Sequence, residues 1–295
     1  METAVVKKSE SLGDRMILGT ASFGRQYGVV NHGRSVDGAK IRELVEFCRE
    51  HEVFGIDTAP AYGDAEAEVG EAGAAGFAII TKVTCKEALE KNKLLYQVST
   101  SLKKLKIKNC YGLMLHDEDR LQGHEGLKIA RNLAELKKTG LVGKIGISSY
   151  HPLAADKFLN EFGWDLVQIP FNVLDRRVLE GGFFEKWDRM GILVCLRSIF
   201  LQGLLLRNPS LPPASTGNLP LAECAAFRQR CLQKGLSPLE VCLLFVLQNT
   251  EKAKIVVGPV CKREMGEILN VCPQQVIPDL RLPAWHPDFD PRNWK

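Results

Sequence analysis

The sequence predicts an α/β fold, a (β/α)8 TIM barrel, built as a single domain over residues 1–295. Short apolar runs of strand length alternate with longer segments of helical spacing, and this alternation occurs eight times. Strands joined by crossover helices pair in parallel, and eight of them are the number that closes a barrel. The chain has 295 residues, 45% of them hydrophobic, which is enough material for one large core.

The first half of the chain supplies four strands and their helices. Each strand is a short apolar run that ends at polar or turn-forming residues. The strands are MILGTA at 16–21, VFGID at 53–57, FAIITK at 77–82 and CYGLMLH at 110–116. The helices lie near 38–51, after a capping residue Asp37, and near 65–73, 86–104 and 126–139.

The second half repeats the same pattern. Its strands are GKIGIS at 143–148, DLVQIP at 165–170, GILVCLR at 191–197 and KIVVG at 254–258. Its helices lie near 152–162, 178–190, 221–234 and 238–249, and a last helix follows the eighth strand. The segment LLLRNPSLPPASTGNLP at 204–220 is rich in Pro, Leu and Ser, and we interpret it as a long loop on the face where barrel sites are built.

A doubly wound open sheet is the main alternative to the barrel. That fold usually carries a glycine-rich dinucleotide turn after its first strand. No G-x-G-x-x-G follows any predicted strand, and the phosphate-binding motif G-x-x-x-x-G-K-[ST] is absent as well. The barrel is therefore favoured.

Charge and composition argue against two classes of partner. The formal charge is +4, and the longest basic cluster, KKLKIK at 103–108, is typical of a solvated turn and not of a nucleic-acid surface. The N-terminal METAVVKKSESLGDR lacks the apolar centre of a signal peptide. LEVCLLFVLQ at 239–248 is shorter than the roughly 20 residues of a membrane span. We expect a cytoplasmic protein that binds neither nucleic acid nor membrane.

The cysteine pattern indicates reduced thiols. Nine cysteines is an odd number, none belongs to a C-x-x-C pair, and most lie inside apolar segments. Such thiols behave as small hydrophobic side chains, and the pattern predicts neither a disulfide framework nor a metal site.

Four ionisable residues, Asp57, Tyr62, Lys82 and His116, follow predicted strands at the ends that gather on one face of a barrel. Taken singly, each has a structural explanation, such as an ion pair between Asp57 and Lys82. Taken together, the four groups can deliver a proton to a substrate. A phenol is a weak acid at neutral pH, and an ammonium group beside it lowers its pKa. The sequence predicts that Tyr62 donates the proton beside Lys82, that Asp57 keeps Lys82 charged, and that His116 orients a carbonyl.

Segments along nearly the whole chain resemble those of a known family. They are LGTASFG at 18–24, IDTAPAYGDAEAEVG at 56–70, TK at 81–82, LMLH at 113–116, LKKTGLVGKIGISSY at 136–150, VQIPFNVLDRR at 167–177, RSIFLQGLLL at 197–206 and SPLEVCLLFVL at 237–247. Together they resemble the aldo-keto reductase superfamily. The resemblance implies a (β/α)8 barrel that binds a nicotinamide cofactor, usually NADP(H) with NAD(H) as the alternative, and it places the same four residues in the family's catalytic tetrad.

The resemblance also implies a set of cofactor contacts. Ser148 and Gln168 would hold the nicotinamide carboxamide, which needs both a donor and an acceptor. The turn Gly19, Thr20 and Ala21 would lie under the nicotinamide ribose, and Asp57 would be a further contact of the cofactor. The loop from Ser198 to Gly203 would cover the pyrophosphate, where a glycine permits close approach of the backbone.

Several positions depart from the family pattern. Arg197 stands where many relatives stack an aromatic ring on the nicotinamide, and its charge would oppose the oxidised ring. Ser149 replaces an asparagine. In VVGPVCKREMGEIL at 256–269, Glu264 stands where relatives place an arginine near the adenosine 2′-phosphate. Lys262 and Arg263 beside it are either alternative phosphate ligands or plain surface charges at the start of a helix.

We therefore expect an NAD(P)H-dependent reductase, or the reverse dehydrogenase, acting on a small-molecule aldehyde, ketone or open-chain sugar. The alternative is a catalytically idle barrel that binds cofactor as a sensor or subunit, as the potassium-channel β subunits of this superfamily do. The presence of all four tetrad residue types argues against that alternative. A Schiff-base aldolase that uses Lys82 is a third and remoter possibility, since a protonated lysine is no nucleophile.

Overall fold

Eight parallel strands form a closed barrel in the computed structural model, which describes residues 11–24, 36–208, 219–277, 279–280 and 282–294. Each strand pairs with its neighbours in sequence, and β1 pairs with β8, so the predicted barrel is confirmed. The strands are β1 Met16–Gly19, β2 Gly55–Asp57, β3 Ala78–Val83, β4 Cys110–Leu115, β5 Val142–Ser148, β6 Leu166–Pro170, β7 Leu193–Arg197 and β8 Lys254–Val257.

Helices surround the barrel. In chain order they are α1 Leu12–Arg15, α2 Gly38–Glu50, α3 Ala65–Ala72, α4 Cys85–Ala88, α5 Lys91–Lys104, α6 Gly123–Lys138, α7 Pro152–Phe162, α8 Arg177–Glu180, α9 Phe183–Arg189, α10 Leu221–Gln233, α11 Pro238–Asn249 and α12 Lys262–Leu269.

Two helices that the sequence predicts as continuous are each divided. The segment predicted at 86–104 forms α4 and α5, because Glu90 between them adopts an extended backbone. The segment predicted at 178–190 forms α8 and α9, because Gly182 takes a left-handed conformation with φ of +67°. Glycine adopts this conformation without the steric cost that other residues incur.

The core has two parts. Ile17, Ile80, Met114, Leu166 and Cys195 form a small buried cluster of their own, and they come from five different strands. A larger cluster lies between the strands and the helices. All nine cysteines are free thiols and seven are buried, and burial raises the pKa of Cys195 to about 12.

Two predicted features fall partly outside the described residues. The long loop at 204–220 is described only up to residue 208 and from residue 219, and the N-terminal segment only from residue 11. Among the described residues, no single helix is both long and apolar enough to cross a membrane. Helices α10 and α11 meet that criterion only as a pair, bent by 93°.

The described C-terminal residues 282–294 pack beside the C-terminal end of the barrel. They contain two short 3-10 helices, Pro287–Phe289 and Pro291–Asn293. The Arg177 guanidinium of α8 lies 4.3 Å from the centre of the Trp285 ring, and Arg292 contacts His151 in the loop after β5. This segment therefore reaches the face on which the candidate site lies.

Candidate active site

The carboxyl ends of β2, β3 and β4 bring the four predicted residues of the tetrad to one face. Asp57 is the last residue of β2 and Lys82 the fifth of the six residues of β3. His116 directly follows β4, and its backbone N–H donates to Val83 O at 2.8 Å. Tyr62 ends a 3-10 turn, Pro60–Tyr62, that follows β2. Parallel pairing places all four at the end of the barrel where sites are commonly built.

A buried ion pair lies at the centre of this group. Lys82 Nζ donates to Asp57 Oδ1 at 2.6 Å and to Thr58 O at 3.1 Å. The two residues are only 1% and 4% exposed. Burial alone would lower the pKa of Lys82, but the charges of Asp57 and Tyr62 and hydrogen bonds to both outweigh it, so the pKa is raised. Lys82 is therefore an ammonium group at neutral pH.

Tyr62 lies next to both this ammonium group and the imidazole of His116. Lys82 Nζ is 5.2 Å from the centre of the Tyr62 ring. The Tyr62 and His116 rings are 5.8 Å apart and cross at 84°. The phenol thus lies next to a fixed positive charge and next to a second hydrogen-bonding group. Such an arrangement can transfer a proton to an oxygen held between the two rings.

His116 is neutral at physiological pH. Burial, together with the positive charges of Lys82 and Arg197, lowers the pKa of its imidazole to about 4, while Asp57 and Asp117 oppose this shift. A neutral imidazole has one N–H donor and one acceptor nitrogen. His116 can therefore donate a hydrogen bond to a carbonyl oxygen without acting as an acid itself.

Gln168 and Ser148 join the tetrad through a chain of hydrogen bonds. Gln168 Nε2 donates to Asp57 Oδ1 at 2.7 Å, and Ser148 Oγ donates to Gln168 Oε1 at 3.3 Å. Thr20 Oγ1 donates to the backbone oxygen of Asp57 at 3.0 Å. The carboxylate of Asp57 thus holds both Lys82 and Gln168 in place. One amide N–H of Gln168 is left to bind another group.

A cavity of about 410 Å³ runs from this group to α12. We call its two parts the barrel-mouth end and the α12 end. The barrel-mouth end is lined by Asp57, Tyr62, Gln168 and Arg197. The α12 end is lined by Arg263, Glu264, Glu267 and Ile268.

The lining of this cavity suits an extended dinucleotide. Gly19, Gly203 and Gly258 also line it and place no side chain there, so backbone groups are open to a bound molecule. A Cβ atom at Gly19 would come within 3.0 Å of Val256 Cγ1. The amide of Gln168 offers the donor and acceptor that a carboxamide requires. Polar groups at both ends and apolar side chains between them are typical of cofactor sites.

Most of the cofactor contacts predicted from the sequence lie on this cavity. They are Gly19, Thr20, Ala21, Asp57, Gln168, Arg197, Ser198, Gly203, Arg263 and Glu264. Ser148, Lys82 and His116 are not among the lining residues, and Ser148 Oγ donates to Gln168, which is one of them. The structure does not bring Lys262 to the cavity, because its ammonium group pairs with Glu43 of α2.

The loop after β7 lines the cavity with unusual backbone geometry. Ser198, Leu201 and Gln202 have positive φ angles of 58°, 49° and 52°, and Gly203 follows at 89°. A left-handed conformation costs a non-glycine residue about 1–2 kcal/mol. Strain of this kind is often found where a loop must contact a ligand.

The charged side chains at the α12 end pair with groups a few residues away in the sequence. Arg263 Nη1 donates to Glu267 Oε1 at 2.6 Å, one helical turn away. The carboxylate of Glu264 accepts from the backbone N–H of Val260 at 2.9 Å. Glu267 was not predicted as a lining residue, although its spacing of four residues from Arg263 places both on one helix face and could have indicated it.

A stack of side chains beside the barrel-mouth end was not predicted either. The Arg197 guanidinium carbon lies 3.9 Å from the centre of the Tyr150 ring, and that of Arg292 lies 4.1 Å from the same ring. Arg292 Nη2 donates to Asp290 Oδ2 at 2.6 Å. The sequence carries no signal for this contact, since Arg292 is 142 positions beyond Tyr150.

Comparison with known proteins gives a consistent result. The family model described as the aldo/keto reductase family matches residues 15–281. The fold is similar to that of the aldo-keto reductase AKR11C1 from Bacillus halodurans, with a TM-score of 0.72, 18% identity and coverage of 94% of this chain and 95% of that one. It is also similar to the glycerol dehydrogenase AKR11B4 from Gluconobacter oxydans, with a TM-score of 0.69, 20% identity and coverage of 87% and 86%. No curated protein sequence matches this chain.

Proposed function

This chain belongs to the aldo/keto reductase family, an NAD(P)-dependent class of oxidoreductases, and from that premise we propose that it reduces the carbonyl group of an aldehyde, a ketone or an open-chain sugar. The reverse oxidation of the corresponding alcohol uses the same groups. The observation that carries the proposal is the buried ion pair of Lys82 and Asp57, directed at Tyr62 at one end of a cavity that suits a dinucleotide.

Each residue of the tetrad has one role in this proposal. Tyr62 gives its proton to the carbonyl oxygen, and the Lys82 ammonium stabilises the phenolate that remains. Asp57 keeps Lys82 charged and fixed. His116, neutral because of its lowered pKa, donates a hydrogen bond that orients the carbonyl. The bound dihydronicotinamide supplies the hydride.

The residues of the cavity would hold that cofactor along its length. Gln168, itself held by Asp57 and Ser148, would bind the carboxamide. The turn at Gly19 and the loop that ends at Gly203 would bind the ribose and the pyrophosphate. At the α12 end Arg263 would meet a 2′-phosphate, and Glu264 and Glu267, which line the same end, would oppose it. We propose that the protein prefers NADP(H) to NAD(H), but less strongly than it would with an arginine at position 264.

The experiment is a comparison of Tyr62→Phe with the unmodified protein. Dissociation constants for NADPH and NADH come from fluorescence titration. Turnover comes from the absorbance of the dihydronicotinamide with short aldehydes, glyceraldehyde and aldoses as substrates. The variant should bind cofactor normally and lose about 10²- to 10⁴-fold in turnover, the usual worth of a general acid.

The matched control is Tyr96→Phe, which removes the same hydroxyl from a side chain 73% exposed on α5. It should leave turnover unchanged. Near-normal turnover in Tyr62→Phe would remove Tyr62 from the role of acid. If the unmodified protein binds cofactor but reduces none of these carbonyls and oxidises none of the corresponding alcohols, the sensor alternative is favoured.

A further inference from the structure

Arg197 brings a positive charge to the barrel-mouth end of the cavity. It is the last residue of β7 and lies two positions after Cys195, whose side chain belongs to the small cluster of strand residues. Residues two apart on a strand point to the same face, so the Arg197 side chain leaves the strand in the direction of Cys195, nearer the barrel mouth. Arg197 lines the cavity together with Asp57, Tyr62 and Gln168.

Contacts outside the cavity hold this guanidinium in place. Arg197 Nη2 donates to Ser149 O at 3.2 Å, and the group stacks on the Tyr150 ring. Arg292 contacts the same ring and is fixed in turn by Asp290, a carboxylate only 5% exposed. The C-terminal segment thus restrains Tyr150, and Tyr150 restrains Arg197.

The charge of Arg197 is not cancelled by a direct ion pair. Among the residues that the structure describes, no carboxylate pairs with its guanidinium, whereas Lys82 and Asp57 neutralise each other. His116 carries no charge at neutral pH. Arg197 is therefore the remaining net charge among the described groups that line the barrel-mouth end.

The field of this charge extends to the reacting groups. Besides burial and Lys82, the Arg197 charge contributes to the lowered pKa of His116. A second cation bound among these residues would feel the same repulsion. At about 4 Å two like charges repel by roughly 1 kcal/mol even in bulk water, and by more in a site from which water is excluded.

We propose that Arg197 makes the cavity bind the reduced dinucleotide more tightly than the oxidised one. The inference depends on the proposed function, in which the nicotinamide ring occupies the barrel-mouth end. The oxidised ring carries a positive charge and the reduced ring is neutral, while the remainder of the two molecules is identical. Repulsion by Arg197 acts only on the oxidised form, which favours its release after a reduction.

The test measures four dissociation constants, for NADPH, NADP⁺, NADH and NAD⁺, by quenching of tryptophan fluorescence in Arg197→Gln, Arg197→Lys and the unmodified protein. The unmodified protein should bind each reduced form about tenfold more tightly than its oxidised partner. Arg197→Gln removes the charge and should bring that ratio close to one. Arg197→Lys keeps the charge and should retain most of the difference in affinity between the reduced and oxidised forms.

The matched control is Arg263→Gln, which removes one positive charge from the α12 end of the same cavity. The two redox forms do not differ at the adenosine, so this variant should change both affinities equally and leave their ratio unmoved. A ratio in Arg197→Gln equal to that of the unmodified protein would overturn the inference. Arg197→Met applies the same test if the glutamine variant does not fold.

Failure of the proposed function has a different signature. If none of the four dinucleotides binds the unmodified protein, the cavity is not a nicotinamide site and the proposed function is wrong. If all four bind and only the ratio fails to respond to Arg197, the proposed function stands and this inference alone is wrong.

Discussion

The two ends of the cavity differ in how their charges are held. At the barrel-mouth end, Asp57 and Lys82 are buried, and their partners come from other strands. At the α12 end, Arg263 and Glu264 each pair with a group four residues away, and the Arg263 side chain is mostly exposed. Water solvates the second set and hardly reaches the first.

This difference separates a fixed site from an adaptable one. A buried charge that loses its partner keeps its desolvation cost, so the barrel-mouth groups must remain together. An exposed pair such as Arg263 and Glu267 contributes little to stability and can open at little cost. The α12 end can therefore exchange an internal partner for a ligand, whereas the barrel-mouth end cannot. The variants that follow test this contrast, in order of decreasing expected effect.

Lys82→Met should have the largest effect, because it leaves Asp57 buried without its cation. Removal of one partner from a buried pair costs about 3–5 kcal/mol in the free energy of unfolding. Turnover should fall by orders of magnitude, since Tyr62 loses the charge that stabilises its phenolate. Chemical denaturation and the dihydronicotinamide absorbance measure the two quantities. The double variant Lys82→Met with Asp57→Asn carries no unpaired charge and should regain part of the stability, but not the turnover.

The lowered pKa of His116 predicts that the stability of the folded protein depends on pH. Its folded pKa of about 4 lies below its usual 6.5, so between these values the unfolded chain binds more protons than the folded one. The stability that a neutral His116 contributes is therefore fully present above about pH 6.5 and is lost as the pH falls towards 4. The free energy of unfolding falls by about 3 kcal/mol over this range. His116→Gln should flatten this part of the curve of unfolding free energy against pH. Identical slopes for the two proteins would contradict the burial of a neutral imidazole.

Glu264→Arg should change cofactor preference. A charge-assisted contact with a 2′-phosphate is worth about 1.5–3 kcal/mol, or roughly ten- to hundredfold in affinity for NADPH relative to NADH. Both constants must be measured at one ionic strength, because salt screens exposed contacts. Glu264→Gln removes the charge but keeps an acceptor for Val260 N–H, and should give an intermediate ratio. A strong preference for NADPH in the unmodified protein, unmoved by either change, would show that the Glu264 carboxylate does not face the adenosine 2′ position.

Lys262→Ala should have the smallest effect. Its ammonium group pairs with Glu43 on the surface and does not line the cavity. The ratio of NADPH to NADH affinity should stay within about twofold of the original, since an exposed ion pair away from the ligand is largely screened. A tenfold loss of NADPH affinity in this variant, with NADH unaffected, would show that Lys262 turns to the phosphate when cofactor binds.

Local patterns were sufficient for the barrel and for the position of Asp57, Tyr62, Lys82 and His116 at one end of it. Strand and helix differ in the period of their apolar residues, and a strand end can be located from the sequence to within a few positions. Once the strands are parallel, Asp57, Lys82 and His116 must lie on one face. The divided helix at Gly181 and Gly182 also had a local signal in its paired glycines, which the helical spacing around them obscured.

The tertiary structure alone decided which partner each charge takes. The sequence places Lys262, Arg263 and Glu264 side by side, but only packing of α12 against α2 directs Lys262 to Glu43 and leaves Arg263 on the cavity. It likewise places Tyr150 and Arg292 far apart, and only the path of the C-terminal segment stacks one on the other. Periodicity is a property of neighbours along the chain, whereas ion pairing and stacking depend on distances that exist only after the chain has folded.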